Sequence, residues 1–393
     1  MKILKAFKTE LNPNTTQLTL LRKAAGAARW AYNWGLAKKK AAMEKRERIP
    51  TAIDLHKELN QLKKTEIPWM YESSKCAPHE ALRNLDTAFN NFFRNCKKKK
   101  KGKKGFPRFK SKHKNKDSFC LNGSIHVFAD RIQLPRIGMI RLKEREYIPT
   151  ENTKILSATV SCCAGRWFVS VQMEIEIVPL PKSSHTIGID LGIKTLATCS
   201  NGEVFDNPKH LKKKEKALRI RQKSLSRKKK GSANRKKAAK RVAALHYRIA
   251  NARKDYLHKI TSKIIDENQV VVLEDLNLSG MVKNHKLAKA ISDVGMGEFR
   301  RQLEYKAGWY GRQIIIVDRY FPSTKTCSAC GTVKESVKLS ERIFKCDCGL
   351  EIDRDLNAAI NLANTVRLTG IQAYGDGSSG RIDINSVKLP SMN

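Results

Sequence analysis

Three acidic segments, far apart in the chain, constrain its fold more than any other feature. His185-Thr-Ile-Gly-Ile-Asp-Leu-Gly192 and Val270-Val-Val-Leu-Glu-Asp-Leu-Asn277 are apolar, β-branched runs that end in a carboxylate. Such short continuous runs predict buried strands. The third, Ile352-Asp-Arg-Asp-Leu-Asn-Ala-Ala359, reads as the start of a helix rich in small residues. Hard divalent ions prefer oxygen ligands, and two of them can clamp the attacking and leaving oxygens of an in-line displacement. Carboxylates gathered from these segments at the rim of one sheet therefore suit magnesium-dependent cleavage of a phosphodiester.

The charge points to the same substrate. Lysine plus arginine number 78 against 37 acids, a formal net charge of +41 on 393 residues. Folding does not require that excess, whereas a phosphate-backbone binder does. A ribosomal-type or membrane-surface protein shares the charge but not the apolar runs punctuated by carboxylates. No run of about 18 apolar residues occurs, which argues against a transmembrane span. The start, Met1-Lys-Ile-Leu-Lys5, lacks a signal-peptide core. A cytosolic, nucleoid-associated protein with no membrane partner is expected. The ten cysteines then read as metal ligands and buried thiols rather than disulfides.

The cations are clustered. Residues 97–116 hold 12 Lys or Arg and no acid, and residues 209–241 hold 17 with one acid, Glu215. Like-charge blocks are solvated or disordered when alone; here they are expected to order against polyanion as counterions are released. The second block runs into a helix over 236–265, with Val242, Leu245, Ile249, Leu257, Ile260 and Ile264 at helical spacing. It reads as a basic helix along a duplex with its apolar face on the core.

The first third reads as helical, over 17–40 and 79–94. Trp30, Tyr32 and Trp34 sit there among cations, where base stacking competes with core packing; aromatics of amphipathic helices usually face inward. From Phe106, short alternating segments at 124–128, 131–134, 139–142 and 167–173 predict a small β-barrel. After the linker Pro179-Leu-Pro-Lys-Ser-Ser184 the chain reads as α/β. Strands are predicted over 186–190, 194–199, 204–205, 270–273 and 313–317, with helices over 297–311 and 353–365. Cys327-x-x-Cys330 and Cys346-x-Cys348, separated by fifteen residues, suit a tetrahedral zinc ion that folds a small ribbon. The second pair is one residue shorter than the usual knuckle. Cys76, Cys96, Cys120, Cys162, Cys163 and Cys199 have no ligand spacing.

Gly188-Ile-Asp-Leu-Gly192, Leu273-Glu-Asp-Leu276, Cys327-Ser-Ala-Cys-Gly331 and Asp353-Arg-Asp-Leu-Asn-Ala-Ala359, in this order, closely resemble the TnpB (OrfB) proteins of bacterial insertion sequences. These are compact RNA-guided DNA endonucleases similar to type V CRISPR effectors. Leu11-Asn-Pro13, Gly105-Phe-Pro-Arg-Phe-Lys110 and Tyr320-Phe-Pro-Ser-Thr-Lys-Thr-Cys327 fit as well, so the resemblance spans essentially the whole chain. It implies a multidomain α+β fold. A wedge β-barrel (1–10 and 105–180) would accompany an N-terminal helical recognition lobe (11–104). An RNase H-like (RuvC) α/β nuclease domain (185–320 and 351–370) would carry an inserted zinc ribbon (321–350). The weakly patterned tail, 371–393, is expected to be flexible. The implied partners are a guide RNA and target double-stranded DNA beside a short recognition motif.

The family's nuclease acids match Asp190, Glu274 and Asp355. Asp353 is the competing choice, but positions two apart on a helix point about 200° apart. Asp355 shares a face with Ala358, Ala359 and Leu362, whereas Asp353 is placed to be an N-cap. Asp275 should point away from Glu274 and act as a structural acceptor. Asp190 is expected to bridge two magnesium ions, with Glu274 and Asp355 each completing one side. Cys327, Cys330, Cys346 and Cys348 would hold one structural zinc. Nucleic-acid contacts are expected from Lys103, Lys104, Arg108, Lys110, Arg227, Lys228, Lys229, Lys230 and Arg235. A DNA-joining transposase could use the same acids, and a nuclease-inactive guide-directed DNA binder is a non-enzymatic alternative. A resolvase of branched DNA would leave the ribbon and the helical lobe unexplained.

Overall fold

β-Branched side chains lose little freedom on a pleated surface and pack well there, and the apolar runs duly form strands. The computed structural model describes residues 1–98, 104–112, 117–338, 340–368 and the backbone of 381–384. The chain divides into two units, Lys2–Glu176 and Ile177–Asn393, the latter including Met1.

The first unit opens with β1 (Lys2–Asn12), α1 (Thr15–Glu44), α2 (Ala52–Thr65), a 3-10 turn at Pro68–Glu72 and α3 (Cys76–Lys97). Capping boxes start two of the helices, Asn14 with Gln17 on α1 and Thr51 with Asp54 on α2. Strands β2 (Ser118–Leu121), β3 (His126–Val127), β4 (Arg131–Leu134), β5 (Gly138–Leu142), β6 (Thr153–Cys163) and β7 (Arg166–Glu176) follow. They join β1 in an antiparallel sheet of order β2-β6-β7-β1-β5-β4-β3. Helices and sheet share one core, in which Leu21, Ala25, Ala28 and Leu85 meet Phe119, Val160 and Val169. Sequence reading missed α2, β2 and β6. The buried stripe of α2 is only Ala52, Leu55, Leu59 and the stem of Lys63, and β6 alternates with Thr and Ser rather than with charge.

The second unit contains β8 (Thr186–Leu191), β9 (Thr195–Cys199), β10 (Val204–Asp206), α4 (His210–Ser226), α5 (Ala233–Glu267), β11 (Val270–Glu274), α6 (Leu278–Met281) and α7 (Ala288–Val294). It continues with α8 (Met296–Tyr310), β12 (Gln313–Val317), β13 (Ile343–Lys345), β14 (Glu351–Asp353), α9 (Arg354–Leu368) and β15 (Arg381–Ile384). The sheet order is β10-β9-β8-β11-β12-β15. Strands β8, β11, β12 and β15 pair in parallel, and β9 and β10 return antiparallel. Strand alternation divides the apolar residues between two faces. Ile187, Ile189, Val271, Leu273, Ile314 and Ile316 pack with Leu257 and Ile260 of α5 and with Phe299 and Leu303 of α8. Val270, Val272, Ile315 and Val317 pack on the other face with Leu362 and Val366 of α9.

Two segments differ from the sequence reading. The basic block from 209, in which the sequence predicts no helix before 236, forms a helix hairpin of α4 and α5. The carboxylate of Asp293, buried on α7, accepts from Leu211 N at 3.0 Å and Lys212 N at 3.2 Å, and so caps α4 from a distant part of the chain. Arg253 of α5 holds that carboxylate at 2.8 Å, and Leu218 packs on Leu245 and Ile249. The expected flexible tail lies outside the described residues apart from β15, whose backbone pairs with β12. Four residues embedded in a polar stretch gave too short a pattern to read.

Helix α9 lies unusually close to β8. A Cβ at Gly188 would stand 2.1 Å from the carbonyl oxygen of Ala359 and 2.5 Å from the amide nitrogen of Ala363. Both are backbone atoms, so the helix itself would have to move. Gly188→Ala should therefore destabilise the second unit by at least the roughly 1–3 kcal/mol typical of overpacking. Gly308→Ala, in α8 with nothing within 4 Å of the added carbon, should instead stabilise by roughly 0.5–1 kcal/mol. Thermal unfolding of the two variants measures both, and a neutral Gly188→Ala would contradict the close approach.

Candidate active site

The same geometry that seats α9 on β8 gathers the acids. Asp190 follows Gly188 by two residues and so shares its face, towards α9. The parallel register pairs Val272 with Gly188 and Leu273 with Ile189, so one step further along the two strands Glu274 comes beside Asp190. Neighbouring strands lie about 4.8 Å apart, which places these carboxylates side by side at the strand ends. Asp355 stands one helical turn before Ala359, the residue against Gly188, in the first turn of α9. There a carboxylate also gains from the helix dipole. The structure thus brings Asp190, Glu274 and Asp355 together.

Electrostatics reflect that crowding. Burial, then the negative charges of Asp355 and Glu274, push the Asp190 carboxyl up to about 7, with Arg354 opposing the rise. Glu274 is also raised, first by burial and then by Asp275. Asp275 moves the other way. It accepts from Arg300 of α8 at 2.9 Å and from Arg319, and these bonds hold its carboxyl below the usual range. Its bond to α8 places it on the face opposite α9, as alternation requires. Asp353 caps α9, accepting from Asp355 N at 2.9 Å and Leu356 N at 3.1 Å.

Sequence reading did not single out the arginines here. The half-buried Arg354 donates to Asp355 Oδ1 at 3.1 Å, and Arg342 lies 3.6 Å from Asp355 Oδ2. Arg354 sits between the two motif aspartates, so the motif itself contained the signal; Arg342 had none. Lys194, Thr195, Thr198, Arg342 and Asp355 border a cleft of about 200 Å³.

The four cysteines form a second cluster, with all sulfurs within 4.8 Å of one another. Cys327 and Cys348 are 3.6 Å apart, as are Cys330 and Cys346. A tetrahedral ion with sulfur at about 2.3 Å sets edges of roughly 3.8 Å, so the donor set fits. The two turns differ by one residue. In the first, Cys327 N donates to Thr332 O and Gly331 N to Cys327 O; in the second, Cys346 N donates to Leu350 O and Gly349 N to Cys346 O. The second turn makes the same pair of bonds one residue sooner. Gly331 and Gly349 both take positive φ, at 78° and 87°. The cluster is tied to α9: Asn357 accepts from Ser328 N at 3.0 Å and donates to Thr326 O at 2.7 Å, and Asn361 donates to Ser323 O at 2.8 Å.

The expected nucleic-acid residues divide. Lys104, Arg108, Arg227, Lys229 and Lys230 are exposed, Lys228 is half-buried, and Lys103 lies outside the described residues. Lys110 holds its ammonium 3.8 Å over the ring of Tyr32. Arg235 donates to the carbonyls of Leu225 and Lys228, both at 2.9 Å, and closes the turn between α4 and α5. No described helix is long and apolar enough to cross a membrane.

Comparison with known proteins covers most of this architecture. Residues 168–285 match the IS605 OrfB family, described as a probable transposase, 297–362 a Cas12f1-like TNB domain, and 1–48 an OrfB helix-turn-helix domain. A Streptomyces pristinaespiralis protein named as a candidate RNA-guided DNA endonuclease is 39% identical, over 98% of this chain and 96% of its own. An Escherichia coli K12 protein of the same description is 33% identical over 92% of each chain. Among solved structures, Cas12f1, determined with a single-guide RNA and target DNA, has a similar fold at 14% identity and a TM-score of 0.58, covering 92% of this chain and 99% of that one. The chain belongs to the TnpB (OrfB) family of the IS605 insertion sequences.

Proposed function

We propose that this protein is an RNA-guided DNA endonuclease, hydrolysing target DNA at Asp190, Glu274 and Asp355. The observation that carries the reading is the placement of three carboxylates, from two adjacent strand ends and one helix start, on a single face. Family membership, relatives named for this activity and the net charge of +41 support guide RNA and double-stranded DNA as the partners. The sheet order, antiparallel over β10-β9-β8 and parallel from β8 onwards, supports an RNase H-like (RuvC) domain over 185–320 and 351–370. On this reading 321–350 is its zinc ribbon, 11–104 the recognition lobe, and 1–10 with 105–180 the wedge barrel.

Asp190, Glu274 and Asp355 would hold two magnesium ions. When bound, magnesium supplies positive charge to the attacking and leaving oxygens of an in-line displacement. The protein's own part is placement. Asp190 and Glu274 are fixed by the ladder, and Asp355 by a helix that cannot shift along Gly188. Lys194 and Arg342 present cations in the adjoining cleft, where a backbone phosphate would sit. Sequence choice would rest with guide pairing while the protein reads heteroduplex shape. The DNA-joining alternative draws on the same acids, but the named relatives favour hydrolysis.

With guide RNA and matched DNA, Asp190→Ala and Asp355→Asn should each lower cleavage by roughly 10²-fold or more, the scale of losing one electrostatic group in a transition state. Guide-dependent DNA binding should persist. Asp353→Ala should cost about 1 kcal/mol of stability as a lost cap and retain cleavage. Gel assays of products and of complexes separate these outcomes, and full activity in Asp355→Asn would exclude it as a ligand.

We further propose zinc for the cysteine cluster, whose spacing and fit to a tetrahedral thiolate site support it. Metal analysis of purified protein should find one zinc per chain. Its removal by a chelator should open 321–350 to limited proteolysis, because so small a ribbon has little core of its own. A chelated protein with an unchanged digestion pattern would argue for a metal-free ribbon.

A further inference from the structure

One segment of the first unit is both aromatic and cationic. From Thr87 to Lys116 the sequence has thirteen Lys or Arg, five Phe and no acid. In the fold, Phe106 and Phe109 flank a buried Pro107 and are themselves exposed, at 37% and 53%. Phe93, on the last turns of α3, is 36% exposed. The loop that displays the rings is held at both ends. Asn95 donates to Lys104 O at 3.2 Å, while Asn33 donates to Lys110 O at 2.9 Å and accepts from Lys110 N at 2.8 Å. Phe92, behind them, meets Phe93 and Phe106 at 5.3 and 5.1 Å between centroids. Phe93 and Phe106 are therefore backed by another ring while part of each stays exposed.

Cations surround the rings. A cleft of about 450 Å³ is bordered by Asn90, Phe93, Arg94, Lys97 and Lys98. Lys40 lies 5.6 Å over Phe109, and Arg108 projects between the two displayed rings in sequence, exposed. Burying an aromatic ring is favourable, so a clamped loop that leaves two rings partly exposed gives up stability unless something covers them. A duplex offers phosphates but no free base faces. An unpaired strand offers both, a π-face at every base and a phosphate at every step.

We propose that Phe93, Phe106 and Phe109 form a stacking platform for an unpaired nucleotide strand, with Arg94, Lys97, Lys98 and Arg108 meeting its phosphates. This deepens the reading of the chain as a guided nuclease and rests on it for the source of the strand, which is either RNA or DNA. The stacking chemistry is common to both.

The test uses the full-length protein freed of copurifying nucleic acid, with fluorescein-labelled oligo(U), oligo(dT) and a DNA duplex of the same length. Fluorescence anisotropy is followed across salt concentrations. Phe106→Ala with Phe109→Ala should weaken single-strand binding roughly tenfold or more, leave duplex binding nearly unchanged and keep the salt slope. Lys98→Gln with Arg108→Gln should weaken all three probes and lower the slope. Phe109→Trp should retain single-strand binding. Loss with oligo(U) alone assigns the platform to RNA, and loss with oligo(dT) alone assigns it to DNA; either supports the proposal. An aromatic double variant that binds single strands as the parent does, or loses duplex and single strand equally, overturns it. Melting temperatures exclude unfolding as the cause. Guide-dependent cleavage by the unaltered protein in the same preparation tests the nuclease reading separately.

Discussion

The close packing of α9 on β8 governs the second unit. Without a side chain at position 188, the Ala359 carbonyl and Ala363 amide come to 2.1 and 2.5 Å from where a Cβ would stand, well inside clashing distance. This contact decides where Asp355 stands relative to Asp190. The opposite side of α9 is equally committed. Asn357 and Asn361 reach the backbone around Cys327, so one helix links sheet, acids and cysteine cluster. The small residues of Asp355-Leu-Asn-Ala-Ala359 serve the sheet, the asparagines serve the cluster, and the aspartate is left at the open end.

Much of this was legible in the sequence because the determining signals are local. Val270–Leu273 and Gln313–Val317 read as buried strands from composition alone. Asp353 and Asp355 were separable because helical geometry forbids both from pointing the same way. The basic hairpin was less legible. Its first helix is capped by Asp293, eighty-two residues beyond the amide of Leu211, and no local pattern encodes such a tie. Lys110 and Arg235 illustrate the same limit. Both look like phosphate ligands in a basic run, yet one rests on the ring of Tyr32 and the other bonds the carbonyls of Leu225 and Lys228. A cation's role depends on which carbonyl or ring lies within reach, and sequence spacing does not report that.

The short cysteine pair shows that spacing rules stand in for hydrogen bonds. What a metal knuckle requires is a turn that aims two sulfurs at one point, and Cys346–Leu350 achieves it with the same donor and acceptor roles as Cys327–Thr332 in one residue fewer. The glycines at 331 and 349 then perform equivalent tasks at unequal offsets from the first cysteine. Both let the chain reverse at positive φ, where a Cβ would be strained.

A chain with this charge has few acids to spare, and several of them sit in contact with cations, Asp355 with Arg342 and Arg354 among them. Asp86 meets the buried Lys39, Asp117 pairs with Arg29, Asp293 with Arg253, and Asp275 with Arg300 and Arg319. Each ties two elements together, and its charge is met by a cation in contact. Asp190 and Glu274 make no ion pair among the described residues, although both are largely buried and each has another acid nearby. Packing alone would not favour such an arrangement, since an apolar pair of similar volume avoids the cost of burying charge. The adjacent residues Glu274 and Asp275 differ by one step of strand alternation. One faces arginines and the other faces acids, and only the second arrangement leaves negative charge for an incoming cation to neutralise.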